Sequence, residues 1–282
     1  MPKSVPTHLT AAAGAAMLAL AVPALGDSRP LPAAPVAPSY ADLADLADAA
    51  QLVVRARPQV VKAVPPAQVR GVKAGWARYL VEAKTEALIY GRGALGTKVS
   101  YLVDLPLDAR GKPPRIRTSM LLFARPVEGR PAELQLVAPD AQMPWDEGLD
   151  ARLRSVLAEF NAPGAPQKIT GVREAIHVPG DLAGQGETQL FLGTASGEPA
   201  AITVIREPAQ PPRWSVSFSE VVEASGEPPR RETLGWYRLA CFLPRVLPGS
   251  VNISSAAADR ARAASDYRMV LESLGPCTRN RG

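Results

Sequence analysis

Two runs of sustained apolar–polar alternation, joined by a short glycine loop, occupy Trp76 to Leu105 and constrain this chain more than any other stretch. In the first run Tyr79, Val81, Ala83, Ala87 and Ile89 fall on one face and Glu82, Lys84 and Glu86 on the other. In the second, Val99, Tyr101, Val103 and Leu105 alternate with Lys98, Ser100 and Asp104. A period of two puts successive side chains on opposite sides of the backbone, so both runs are half-buried strands of one hairpin.

The segments around the hairpin extend the pattern. Ser39 can cap a short helix with Asp42 three residues later, and Leu43, Leu46 and Ala47 form its apolar stripe. A strand from Leu52 to about Val61 precedes the hairpin. After a loop rich in Pro and Arg, a run from Ile116 to Ala124 is apolar on both faces at Met120-Leu121-Leu122-Phe123, the signature of a central strand. Leu134 to Ala138 is a short fifth strand. Leu149, Leu153, Val156, Leu157 and Phe160 recur at helical spacing, with Asp146 as cap and Pro163-Gly164 as stop. Five strands flanked by helices predict a barrel of the OB type, closed or nearly so.

From Gly171 the pattern restarts, with strands expected at Val172–Val178, Thr188–Thr194, Ala200–Arg206 and Trp214–Val222. In the last, Trp214, Val216 and Phe218 alternate with Ser215, Ser217 and Ser219, which predicts one core face and one wet face. Helices over Thr233–Leu243 and Ser255–Leu274 close the chain. The fold class expected is α+β, predominantly β: a five-stranded OB-like barrel with flanking helices, then a smaller antiparallel part with two C-terminal helices. The expected divisions are 1–26, a signal peptide; 27–38, a Pro- and Ala-rich tether; 39–163, the barrel; and 164–282, the second part.

The signal-peptide reading rests on Lys3, an apolar run from Leu9 to Val22 and a small-residue site at Ala24-Leu25-Gly26. A run of 14 residues falls short of the ~20 apolar residues that span a bilayer. An uncleaved anchor is the alternative. In an exported chain the two cysteines, Cys241 and Cys277, most simply form one disulfide tying the last helices together. The expected location is therefore periplasmic or secreted.

Few motifs point to chemistry. Gly91-Arg-Gly93-Ala-Leu-Gly96 matches G-x-G-x-x-G, but a dinucleotide site needs a helix N-terminus next, and here a strand follows, so the glycines belong to a hairpin loop. His177 is the one histidine beyond the leader and is structural or on the surface unless partners make it a base. Asp140, Asp146, Glu147 and Asp150 surround Trp145. They either cap and charge the following helix or supply carboxylates for a hydrolase. No nucleophile elbow or phosphate loop is present, and no cofactor or metal is expected.

Charge is distributed unevenly. Residues 51–130 hold 15 Lys and Arg against 5 Asp and Glu, whereas residues 131–250 hold 10 against 15. A basic barrel attracts anions at long range, but the same imbalance arises if the two parts pack with complementary charge. Arg55, Arg57, Lys98, Arg115 and Arg117 stand as the candidate binding residues.

Tyr40 to Arg57, Val99 to Arg110, Glu133 to Trp145 and Trp236 to Cys241 resemble a group of uncharacterised exported proteins of alphaproteobacteria. The short helix leading into Leu52-Val-Val-Arg-Ala-Arg57 also resembles the start of netrin-type OB modules. The first resemblance implies export and carries no functional residue. Together these observations lead to a non-enzymatic binding protein of the cell envelope, its basic barrel contacting an anionic component or a protein. The alternatives are a hydrolase built on the carboxylates near Trp145 and a purely structural envelope protein. Nucleic acid is not an expected partner of an exported chain.

Overall fold

The alternation at Trp76–Leu105 becomes an antiparallel hairpin in the computed structural model, which describes residues 1–4, 37–93, 95–219 and 226–281. Most of the expected signal peptide and tether, and the end of the last expected strand at 220–222, lie outside the described residues. Residues 37–282 form one unit.

Helix α1 (Tyr40–Ala49) starts at the expected capping box: Ser39 Oγ accepts from Asp42 N while Asp42 reaches back to Ser39 N. Strand β1 (Leu52–Ala63) follows, then β2 (Trp76–Tyr90) and β3 (Lys98–Pro106), the hairpin itself. Gly91 ends β2 at φ +101°; a Cβ there would lie 2.3 Å from Gln51 O, so only glycine fits this turn. The next described element is β3, not a helix, as the loop reading of the G-x-G-x-x-G match requires.

The fourth expected strand begins later than the sequence suggests. It runs as β4 (Met120–Val127), because its ladder with β1 ends at the pair Ala56–Met120 and Pro58 has no N–H with which to extend it. Strand β5 (Arg130–Leu136) returns along β4 and pairs in parallel with β3 through Ser100–Glu133 and Tyr101–Leu134. With β1 bonded to both β2 and β4, the order β1-β2-β3-β5-β4 closes on itself as a mixed five-stranded barrel. A sixth strand, β6 (Gln142–Pro144), which the sequence did not disclose, pairs with β4 outside the ring. Helix α2 (Glu147–Phe160) is capped by Asp146, whose Oδ1 accepts from Leu149 N at 2.8 Å.

The second part is a four-stranded antiparallel sheet, β7 (Ile169–Pro179), β8 (Gly186–Thr194), β9 (Ala200–Arg206) and β10 (Arg213–Ser217), in the order β10-β9-β8-β7. One face is covered by α4 (Ala257–Leu274), to which Trp214 Nε1 donates at Ser273 Oγ, 3.1 Å. The expected wet face of β10 is not open throughout. Ser215 is 5% exposed and pairs in register with buried Thr203.

Helix α3 (Leu234–Ala240) joins the two parts. Its Trp236 and Tyr237 pack against Tyr40 of α1, and Glu159 of α2 accepts from Leu234 N at 2.6 Å. The apolar residues of both parts form one continuous core, so the expected divide near residue 163 does not separate two cores. The Cys241–Cys277 disulfide is formed and links the end of α3 to the segment after α4. Among the described residues no helix is long and apolar enough to cross a membrane.

Candidate functional site

Register decides which basic side chains meet. In the ladders of the barrel, Arg57 of β1 stands directly opposite Lys84 of β2, and Lys84 directly opposite Lys98 of β3. Directly paired residues share a face, and these three are exposed, so the outer barrel surface carries an unbroken cross-strand row of three cations. Adjacent strands lie about 4.8 Å apart, which makes the row about 10 Å wide.

The rows beside it are neutralised or apolar. In the next outward row, two residues along β2 and β3 and three along β1 because of a bulge between Pro58 and Val60, Val60, Glu82 and Ser100 are in register, with Glu133 beyond them on β5. Glu82 pairs with Lys62 at 3.2 Å and Glu133 with Arg130 at 2.8 Å. In the next row Leu80 and Leu102 face each other, 36% and 48% exposed. Beyond them Arg78 makes a two-bond contact with Asp104, at 2.7 and 2.9 Å, and that hydrogen-bonded partner holds the guanidinium pKa above its ordinary value. Every carboxylate of this face thus has a cation, while Arg57, Lys84 and Lys98 have no ion pair among the described residues. Like charges directly opposite on a sheet destabilise it, so folding alone gives no reason for the row.

Packing between the two parts does not explain the basic charge either. Among the described residues the ion pairs that join them are Asp45–Arg279 at 2.6 Å, Asp48–Arg238 at 2.9 Å and Asp140–Arg281 at 2.6 Å. In all three the acid belongs to the barrel part and the base to the C-terminal part, the reverse of what neutralisation of a basic barrel would need.

The five candidate cations do not form one site. Arg57 and Lys98 belong to the row, joined by Lys84, which the sequence reading placed only on a polar strand face. Arg55 is committed elsewhere: its guanidinium lies 4.7 Å from the centre of the Trp145 ring and its Nε 3.3 Å from Glu86, without a hydrogen bond at that nitrogen. Arg115 and Arg117 line a cavity of about 300 Å³ with Leu105, Met120 and Gln142. Leu105 lies seven residues along β3 from Lys98, roughly 23 Å away at strand rise.

Three of the four carboxylates around Trp145 have separate partners: Asp146 caps α2, Asp150 pairs with Arg154 at 2.7 Å, and Asp140 pairs with Arg281, while Glu147 lies in the first turn of α2. Among the described residues no group of three or more His, Cys, Asp or Glu side chains is placed to hold a metal ion.

His177 lies on the α4-facing side of β7, with its side chain 5% exposed. Asp266, fully buried on α4, accepts from the Arg206 guanidinium and from the Thr188 hydroxyl, the latter at 2.5 Å. Thr188 has one proton and gives it to Asp266, so the contact of 2.8 Å between Thr188 Oγ1 and His177 Nδ1 places the imidazole proton on Nδ1. Burial, partly opposed by Asp266 and Asp259, lowers the His177 pKa below its ordinary value. A Cβ on Gly186 would lie 2.7 Å from the imidazole, which leaves the ring packed where a side chain would otherwise stand. This network is a structural clamp between α4 and the sheet.

No family model and no curated protein matches the chain.

Proposed function

We propose that this is a non-enzymatic binding protein of the cell envelope that engages an anionic partner through the outer face of β1, β2 and β3. One observation carries the reading: the uncompensated row Arg57–Lys84–Lys98, set in register on a face whose carboxylates are all paired. A sheet that keeps three like charges opposed loses stability, and an anion that spans them recovers it. The exposed Leu80–Leu102 pair adds apolar contact area next to the charge. In OB-type barrels the face of strands two and three is the usual ligand surface, a fold-level analogy that points to the same residues. A leader ending near Gly26 and a disulfide both suit an oxidising compartment, which supports a periplasmic or secreted location.

The reading is tested by titrating the full-length protein and its Lys84→Glu/Lys98→Glu variant with vesicles of anionic phospholipid and with a sulfated polysaccharide, from about 20 to about 500 mM salt. Binding to one of these that weakens with salt and is lost in the variant supports it. Binding that survives the charge reversal overturns it.

A further inference from the structure

We infer that the Cys241–Cys277 disulfide is a site of thiol exchange for a small anionic thiol, and that its opening releases the C-terminal segment from α1. Both cysteines are partly exposed and line a cavity of about 580 Å³ at the end of α3 and α4. Arg245, Arg268 and Arg279 line the same cavity, with Glu272 as its one acidic residue. Arg279 is already paired with Asp45, so Arg245 and Arg268 against Glu272 supply the excess positive charge that raises the local concentration of an anion. Arg279 Nη1 lies 3.5 Å from Cys277 Sγ, where its charge stabilises a developing thiolate.

The geometry gives the step a direction. A thiolate RS⁻ adds to Cys241 Sγ, the S–S bond breaks, and Cys277 leaves as a thiolate beside Arg279. A second RS⁻ then attacks the mixed disulfide at the sulfur of R, giving RSSR and the Cys241 thiolate, and both cysteine thiolates come to protonation equilibrium with water. Two equivalents of thiol are oxidised and one disulfide is reduced.

What opening would release is specific. Beyond Cys277 the chain lies across the start of the barrel part: Asn280 N and Arg281 N donate to Asp42, at 3.0 and 3.2 Å, and Asn280 Nδ2 donates to Ala37 O at 2.9 Å. Arg279 holds Asp45 and Arg281 holds Asp140. The ion pairs to Asp45 and Asp140 are partly exposed and individually weak, Asp42 is buried, and the disulfide fixes the segment on which all of these contacts depend.

The test uses the full-length oxidised protein, reduced with 2-mercaptoethanesulfonate, 2-mercaptoethanol or cysteamine at equal thiolate concentration. Each rate is divided by that of the same thiol on a small neutral disulfide. At low salt the sulfonate is expected to react about fivefold faster than cysteamine, the difference shrinking at high salt and in Arg245→Gln/Arg268→Gln. After reduction, hydrogen exchange should speed up at residues 278–281 while the α4 amides stay protected. Equal normalised rates for the three thiols, a tail that stays protected, or loss of α4 protection along with the tail would each overturn the inference.

Discussion

Replacing Lys84 by Glu should stabilise the fold while it destroys the proposed binding face. Lys84 stands between Arg57 and Lys98, so the substitution turns two repulsions into two attractions, while Glu82 and Glu86, two residues away on the same face, are each held by their own cation, Lys62 and Arg55, and act on position 84 as nearly neutral pairs. With charged ends splayed to about 7 Å in water, each pair interacts by about 0.6 kcal/mol before screening. Screening leaves about 0.5 kcal/mol at 10 mM salt and about 0.25 at 150 mM. Two pairs with their sign reversed give upper bounds of about 2 and about 1 kcal/mol, and side-chain ordering roughly halves what exposed pairs deliver. The expected gain is therefore about 1 kcal/mol at low salt, about 0.5 at physiological salt, and none near 1 M. Urea unfolding at these three ionic strengths measures it. Lys112→Glu, in the loop after β3, controls for the change in net charge alone. If Lys84→Glu is no more stabilising than Lys112→Glu at low salt, the row carries no frustration and the case for a selected binding surface fails.

Two further outcomes concern the buried network. Asp266→Ala should cost roughly 3 kcal/mol, the low end for breaking a buried ion pair, because Arg206, 20% exposed at its side chain, can turn toward water. Replacing Asp266 and Arg206 together by leucine should cost less than Asp266→Ala, and denaturant melts of the three proteins check this; a single-variant cost below about 1 kcal/mol would refute the clamp. Because the folded His177 pKa lies below its ordinary value of about 6.5, the unfolded chain takes up the proton first as pH falls. Stability from this group is complete above that pH and declines below it, toward the folded value. Unfolding free energies from pH 8 to pH 5 for wild type and His177→Asn should therefore differ less at the acid end, and a constant difference would contradict the assignment.

The parts of the fold legible in the sequence were those fixed by local spacing. The Trp76–Leu105 hairpin, the Ser39–Asp42 capping box and the Asp146 cap each depend on residues a few positions apart. Closure of the barrel has only the strand count as its sign in the sequence, since the β1–β4 and β3–β5 pairings are long-range and leave no periodic trace. Strand β6, three residues long, is too short to show a period at all. The site was half legible for the same reason. Charge counting singled out Arg57 and Lys98 together with Arg55, Arg115 and Arg117, but only register shows that the first two share a row and that Lys84 completes it. Likewise His177 could be placed in a strand, while Thr188 and Asp266, which fix its tautomer, come from β8 and α4.

The most direct test of the binding face is the reactivity of its amines. Lys84 and Lys98 are acetylated in the full-length protein with and without the anionic ligand that binds in the salt series, and modification is read by mass spectrometry beside Lys73 and Lys112 as controls. Protection of Lys84 and Lys98 with the controls unchanged is the result expected if the row Arg57–Lys84–Lys98 is the contact surface. Full reactivity of both lysines in the bound state, or protection of Lys112 in their place, would contradict it.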